Sequence, residues 1–70
     1  MRNKNATETL KETVEEIRCI LDEIQTLEEI DDFIYGEKTA YVEYLEWLQE
    51  LCGKSEEYGL DFDIEENYPL

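Results

Sequence analysis

The sequence predicts an all-α fold, an antiparallel two-helix hairpin with an extended acidic C-terminal segment. Three observations predict it. Leu10, Val14, Ile17, Leu21 and Ile24 recur at spacings of 4, 3, 4 and 3, which holds them on one stripe of a helix. A second apolar arc runs up to Cys52 and stops at Gly53, a residue suited to end a helix. Between the two patterns lie Asp31 and Asp32, which oppose the dipole of a helix that ends there but suit the N-cap and first turn of one that begins.

The first helix is placed at about residues 5–29, with Ile20 and Leu27 widening its stripe. Two capping signatures mark its start, Asn5 with Glu8 and Thr9 with Glu12, each a capping side chain three residues before a Glu. The second helix is placed at about residues 32–52. At 1.5 Å per residue the two span ~37 and ~32 Å, so antiparallel neighbours cover each other along their length. This placement puts Gly36 inside the second helix, at roughly 1 kcal/mol relative to Ala. Gly36 and Ala40 lie four apart, and a close approach of the helices there offsets that cost. The expected core is Leu10, Val14, Ile17, Leu21, Ile24, Leu27, Phe33, Leu45, Leu48 and Leu51.

Phe33, Ala40, Tyr41, Tyr44, Leu45, Trp47, Leu48, Leu51 and Cys52 spread over nearly half the circumference of the second helix. One neighbouring helix does not bury so wide an arc. The C-terminal segment, a second copy of the chain or a partner must cover the remainder. In the tail, residues 55–70, Leu60, Phe62 and Ile64 alternate with Asp61, Asp63 and Glu65, a period of two that reads as extended chain. No second strand candidate accompanies it.

Seventy residues make one domain with a small core. Two Cys, the polar residues 1–10 and the lack of any apolar run of membrane-span length predict a cytoplasmic protein with reduced thiols. In the hairpin register Cys19 and Cys52 lie ~13 Å apart along the axis, too far for a disulfide. Without His, two isolated Cys do not make a zinc site. Asp61, Asp63, Glu65 and Asn67 have the spacing of half a calcium loop, but Glu66 stands where the loop needs Gly. No cofactor and no metal are expected. A single Ser, no His and no Gly-rich phosphate loop also argue against an enzyme.

Charge carries the functional signal. Twenty Asp and Glu face six Lys and Arg, a formal net charge of -14. Seven acids and no base lie between Cys19 and Glu37, and six acids and no base from Ser55 to Leu70. Glu43, Glu46 and Glu50 form a row on the second helix, with no Lys or Arg between Lys38 and Lys54. Carboxylates at that spacing repel by a few tenths of a kcal/mol per pair, where interleaved Lys would stabilise. Such a row on a rigid helix can stand in for a phosphate backbone and attract Arg- and Lys-lined clefts. A solvated acidic face is the plainer reading of the same residues. Aromatic residues crowd the second half of the chain, and Tyr41, Tyr44 and Trp47 suit either an interface or ordinary core. The candidate partner-binding residues are therefore Glu43, Glu46, Glu50, Asp31, Asp32, Tyr41, Tyr44 and Trp47.

In composition and size the chain resembles small acidic phage-encoded inhibitors of bacterial defence, the anti-CRISPR and DNA-mimic anti-restriction proteins. The resemblance lies in the rows Glu8/Glu12/Glu15/Asp22 and Glu43/Glu46/Glu50 and in the run Glu28-Glu29-Ile30-Asp31-Asp32. No motif defines that group, so no residue roles carry over. The resemblance implies a non-enzymatic inhibitor, acting in the host bacterial cytoplasm, that blocks a nucleic-acid-binding cleft by occupying it. The expected partner is a basic protein such as a nucleic-acid-binding effector, with no direct contact to nucleic acid or membrane. The alternative is a small acidic helical interaction module, or a homodimer, without nucleic-acid mimicry.

Overall fold

The computed structural model describes residues 5–70, and their order is α1 (Ala6–Gln25), α2 (Asp32–Cys52), a 3-10 turn (Glu56–Tyr58) and a one-turn helix α3 (Ile64–Asn67). The two long helices pack against each other as a hairpin. Both starts are capped as the sequence predicts. The Glu8 backbone N–H donates to Asn5 Oδ1 at 2.8 Å, and the Ile34 N–H donates to Asp31 Oδ1 at 2.8 Å. Each cap satisfies a donor that the first helical turn leaves open. At its far end α2 stops at Gly53, whose φ of 76° lies in the region that favours glycine and whose N–H donates to the Gln49 carbonyl at 2.7 Å.

α1 is shorter than its acidic continuation suggests. It ends at Gln25, four residues before Glu29, and Thr26 caps it with its hydroxyl on the Glu23 carbonyl at 2.7 Å. Glu28 and Glu29 would sit at the negative end of the helix dipole, and Asp31, as the cap of α2, is itself extended at φ -82° and ψ 176°. Leu27 consequently lies 45% exposed in the connection, outside the core.

The tail gives the larger correction. The alternation of Leu60, Phe62 and Ile64 produces no strand among the described residues. Gly59 turns the chain at φ 71°, irregular backbone follows, and Asp63 caps α3 by accepting the Glu66 N–H at 3.0 Å. Leu60, Ile64 and Tyr68 are all buried, and these positions lie four residues apart. The tail runs back from the Cys52 end to the turn end of the hairpin, and hydrogen bonds fasten it along the way. Gln49 Nε2 donates to the Leu60 and Phe62 carbonyls at 3.0 and 2.7 Å. Gln25 Nε2 donates to the Asn67 carbonyl at 2.6 Å, and Lys38 Nζ to that of Pro69 at 2.8 Å.

Tyr68 is the anchor of this arrangement. Its hydroxyl accepts from Arg18 Nε at 3.2 Å and donates to Asp22 Oδ1 at 3.0 Å. The Arg18 guanidinium also lies 3.9 Å from the centre of the Phe62 ring, and Phe62 meets Tyr68 edge to face at 6.3 Å. Burial pushes the Tyr68 phenol above its ordinary pKa of 10.0; the Arg18 hydrogen bond opposes that and the Asp22 carboxylate adds to it.

The core is thus three-sided: Val14, Ile17 and Leu21 from α1, Val42 and Leu45 from α2, and Leu60, Ile64 and Tyr68 from the tail. Five of the expected core residues are buried, namely Val14, Ile17, Leu21, Ile24 and Leu45, and Leu10 and Leu48 are half-buried. Phe33 and Leu51 are not core at all, at 79% and 83% exposed. Gly36 likewise faces solvent, and a Cβ built on it meets nothing within 4 Å, so it does not bring the helices together. Cys19 and Cys52 are free thiols. No described helix is long and apolar enough to cross a membrane.

Candidate functional site

The body measures 40 × 28 × 16 Å. Its thin dimension leaves room for one added layer, since a helix with its side chains is already ~10–12 Å across. The tail takes one face of the hairpin and leaves the other open. On the open face α2 presents Phe33, Ala40, Tyr44, Trp47 and Leu51, at spacings of 7, 4, 3 and 4. That is the spacing of a heptad seam on the side of α2 away from the tail. All five positions are exposed, Trp47 at 68%.

Glu43, Glu46 and Glu50 flank this row on α2, and all three are exposed. Together with Ala40, Tyr44 and Trp47 they line an open cavity of about 590 Å³. Ala40 is its floor, because a methyl group between larger neighbours leaves a hollow. A second cavity of about 240 Å³ adjoins it, lined by Thr13 and Ile17 of α1 and by Ala40, Tyr41 and Tyr44 of α2. A third, of about 500 Å³, continues along α1 past Thr9, Glu12, Thr13, Glu16, Ile17 and Ile20 to Tyr41. Shared residues join the three into one groove. Its centre is apolar and aromatic, carboxylates border it from both helices, and neither Lys nor Arg lines it.

The structure therefore brings together six of the eight sequence-derived candidates: Glu43, Tyr44, Glu46, Trp47 and Glu50 in one cavity and Tyr41 in the two beside it. Asp31 and Asp32 stand apart at the start of α2, ~17 Å along the helix axis from Glu43. Asp31 is engaged as the N-cap, and Asp32 lies in the first turn at the positive end of the dipole. Both are exposed and add negative charge at the turn end.

Sequence reasoning missed Phe33, Leu51 and the α1 wall of the groove. Phe33 and Leu51 have a signal in the 7-4-3-4 spacing, which is offset by roughly a third of a turn from the arc centred on Leu45 that the core takes, whereas the α1 wall has none. No group of three or more His, Cys, Asp or Glu side chains among the described residues is placed to hold a metal ion. The polar groups of the groove are carboxylates, the Tyr41 and Tyr44 phenols and threonine hydroxyls, which can meet cations and hydrogen-bond donors, while its aromatic rings can meet apolar side chains.

No protein-family model matches this chain, and neither a curated protein nor a solved structure matches it.

Proposed function

We propose that this protein is a non-enzymatic inhibitor that occupies the basic nucleic-acid-binding site of a target protein. One observation carries the reading: the row Glu43, Glu46 and Glu50 on α2, which lines one cavity with Trp47 and has no Lys or Arg in that lining. Charge density supports it. The chain carries a net charge of -14 and the body is no more than 40 Å long. A cleft built to hold phosphates attracts such a body, and long-range attraction speeds the encounter. The mechanism is occupancy: carboxylates take the Arg and Lys side chains that would hold phosphates, and the aromatic row slows release.

A second reading has its own support. Phe33, Trp47 and Leu51 are too exposed for a surface that only imitates phosphates, and they favour a helical protein-interaction module whose acidity serves solubility. Capture separates the two. The protein is immobilised, exposed to nuclease-treated bacterial lysate, and eluted with duplex DNA or with RNA at constant salt. The inhibitor reading expects a basic nucleic-acid-binding protein that nucleic acid releases, and no capture by the Glu43→Lys/Glu46→Lys/Glu50→Lys variant. Capture that survives both nucleic-acid elution and charge reversal decides for the interaction module.

A further inference from the structure

We infer that the open groove between α1 and α2 receives a basic amphipathic helix of the partner protein, seated by an apolar seam and bordered by its Lys and Arg. The inference rests on the reading that the partner is basic, and it adds the shape and chemistry of the segment bound. The exposed row from Phe33 to Leu51 on α2, of which Ala40, Tyr44 and Trp47 line the groove, runs ~27 Å, which matches about five turns or 18 residues of a partner helix. Its 7-4-3-4 spacing is what an a/d seam of a facing helix interdigitates with, and the hollow over Ala40 takes one large aliphatic knob between Tyr44 and Trp47.

Charge decides among occupants. Glu16 borders the groove on α1, and Glu43, Glu46 and Glu50 border it on α2, with no base on any wall. A second copy of this chain would set these rows against identical rows while water is being excluded, so self-association is disfavoured. An extended basic peptide or a bare polycation would satisfy the carboxylates and leave Phe33, Trp47 and Leu51 uncovered. A helix with an apolar stripe flanked by Lys and Arg satisfies both requirements.

The probe is a synthetic 18-residue peptide of Leu, Ala, Lys and Arg with Leu at a/d spacing. Its control has the same composition, shuffled so that Leu is spread around the helix. Trp47 is the only Trp in the chain, so its emission reports contact directly. The amphipathic peptide is expected to bind at least tenfold more tightly than the shuffled one, to gain helical circular dichroism, and to shift Trp47 emission to the blue. Ala40→Glu places a carboxylate in the floor of the groove at an exposed helical position that tolerates it. That variant should weaken the amphipathic peptide at least tenfold and leave the shuffled peptide bound as before or more tightly, because it adds attraction for a polycation. Equal binding of the two peptides, or an Ala40→Glu variant that keeps the amphipathic peptide, overturns the groove inference and leaves the basic-site reading intact. Failure of both peptides at low salt overturns the two together. A concentration-dependent dimer of the wild type that Ala40→Glu dissolves assigns the groove to a second copy and overturns the inference as well.

Discussion

Truncation of Tyr68 tests how the tail holds the hairpin. Its side chain is 2% exposed, packs into the core with Leu60 and Ile64, meets Phe62 edge to face, and closes a hydrogen-bonded link to Arg18 and Asp22. Removal of a buried aromatic to Ala costs about 3–5 kcal/mol. A 70-residue domain holds only about 4–10 kcal/mol in total. Tyr68→Ala should therefore leave the tail detached and the remaining fold close to its midpoint at 25 °C, as followed by thermal and urea unfolding with circular dichroism. Tyr68→Phe keeps the ring and removes only the hydroxyl, so its loss should be about 1 kcal/mol, or roughly 4–8 °C in Tm. The pH dependence follows from the raised phenol pKa. Because the folded pKa lies above the unfolded one, this contribution is fully present below pH 10.0 and is lost as pH rises through the folded value. Tyr68→Phe should flatten that part of the alkaline loss. A Tyr68→Ala protein as stable as the wild type, or a Tyr68→Phe protein with an unchanged alkaline profile, would refute the anchoring role.

Three further substitutions probe local features. Gly36→Ala should raise stability by up to about 1 kcal/mol, since the position is helical, exposed and sterically open; a lower melting temperature would mean that the backbone there depends on glycine. Gln49→Ala removes both donors to the Leu60 and Phe62 carbonyls and should cost about 1–3 kcal/mol, with faster amide exchange in the tail than in α1. Gly59→Ala forces a Cβ onto a backbone at φ 71° and should cost about 1–2 kcal/mol, although its Cβ would meet Val14 Cγ1 at an ordinary 3.9 Å; a neutral result in urea unfolding would show that this turn relaxes freely.

The hairpin was legible in the sequence because its signals are local. The 4-3-4-3 stripe of α1, the Asp31 cap and Gly53 each act within a turn or two of chain, and each has its expected place in the structure. The tail departs from the extended reading in the one-turn helix Ile64–Asn67, because alternation over five residues is a short signal. Asp63 and Glu66 carry the same capping spacing as Asn5 and Glu8, and that spacing, not the alternation, sets the local backbone. Tyr68 could not be placed from periodicity, since its burial depends on Arg18 and Asp22, 50 and 46 residues away in sequence. The acidic row of the groove was legible because Glu43, Glu46 and Glu50 belong to one helix. Its α1 wall was not, because the set formed by Thr13, Ile17 and Tyr41 exists only once the hairpin has closed. The sequence pattern alone puts Phe33 and Leu51 in the core, because hydrophobicity marks a residue as coverable without saying what covers it.

Occupancy of a nucleic-acid-binding site is tested by displacement of nucleic acid from the captured target. Fluorescently labelled duplex DNA or RNA bound to that target is titrated with this protein, and anisotropy is read at ~50 and ~200 mM salt. Full displacement by the wild type is expected, weaker at the higher salt, and none by the Glu43→Lys/Glu46→Lys/Glu50→Lys variant, which should keep its fold because all three side chains are exposed and the reversal lowers the net negative charge. A ternary complex of target, nucleic acid and this protein, or displacement by the folded variant equal to that of the wild type, would contradict occupancy of that site.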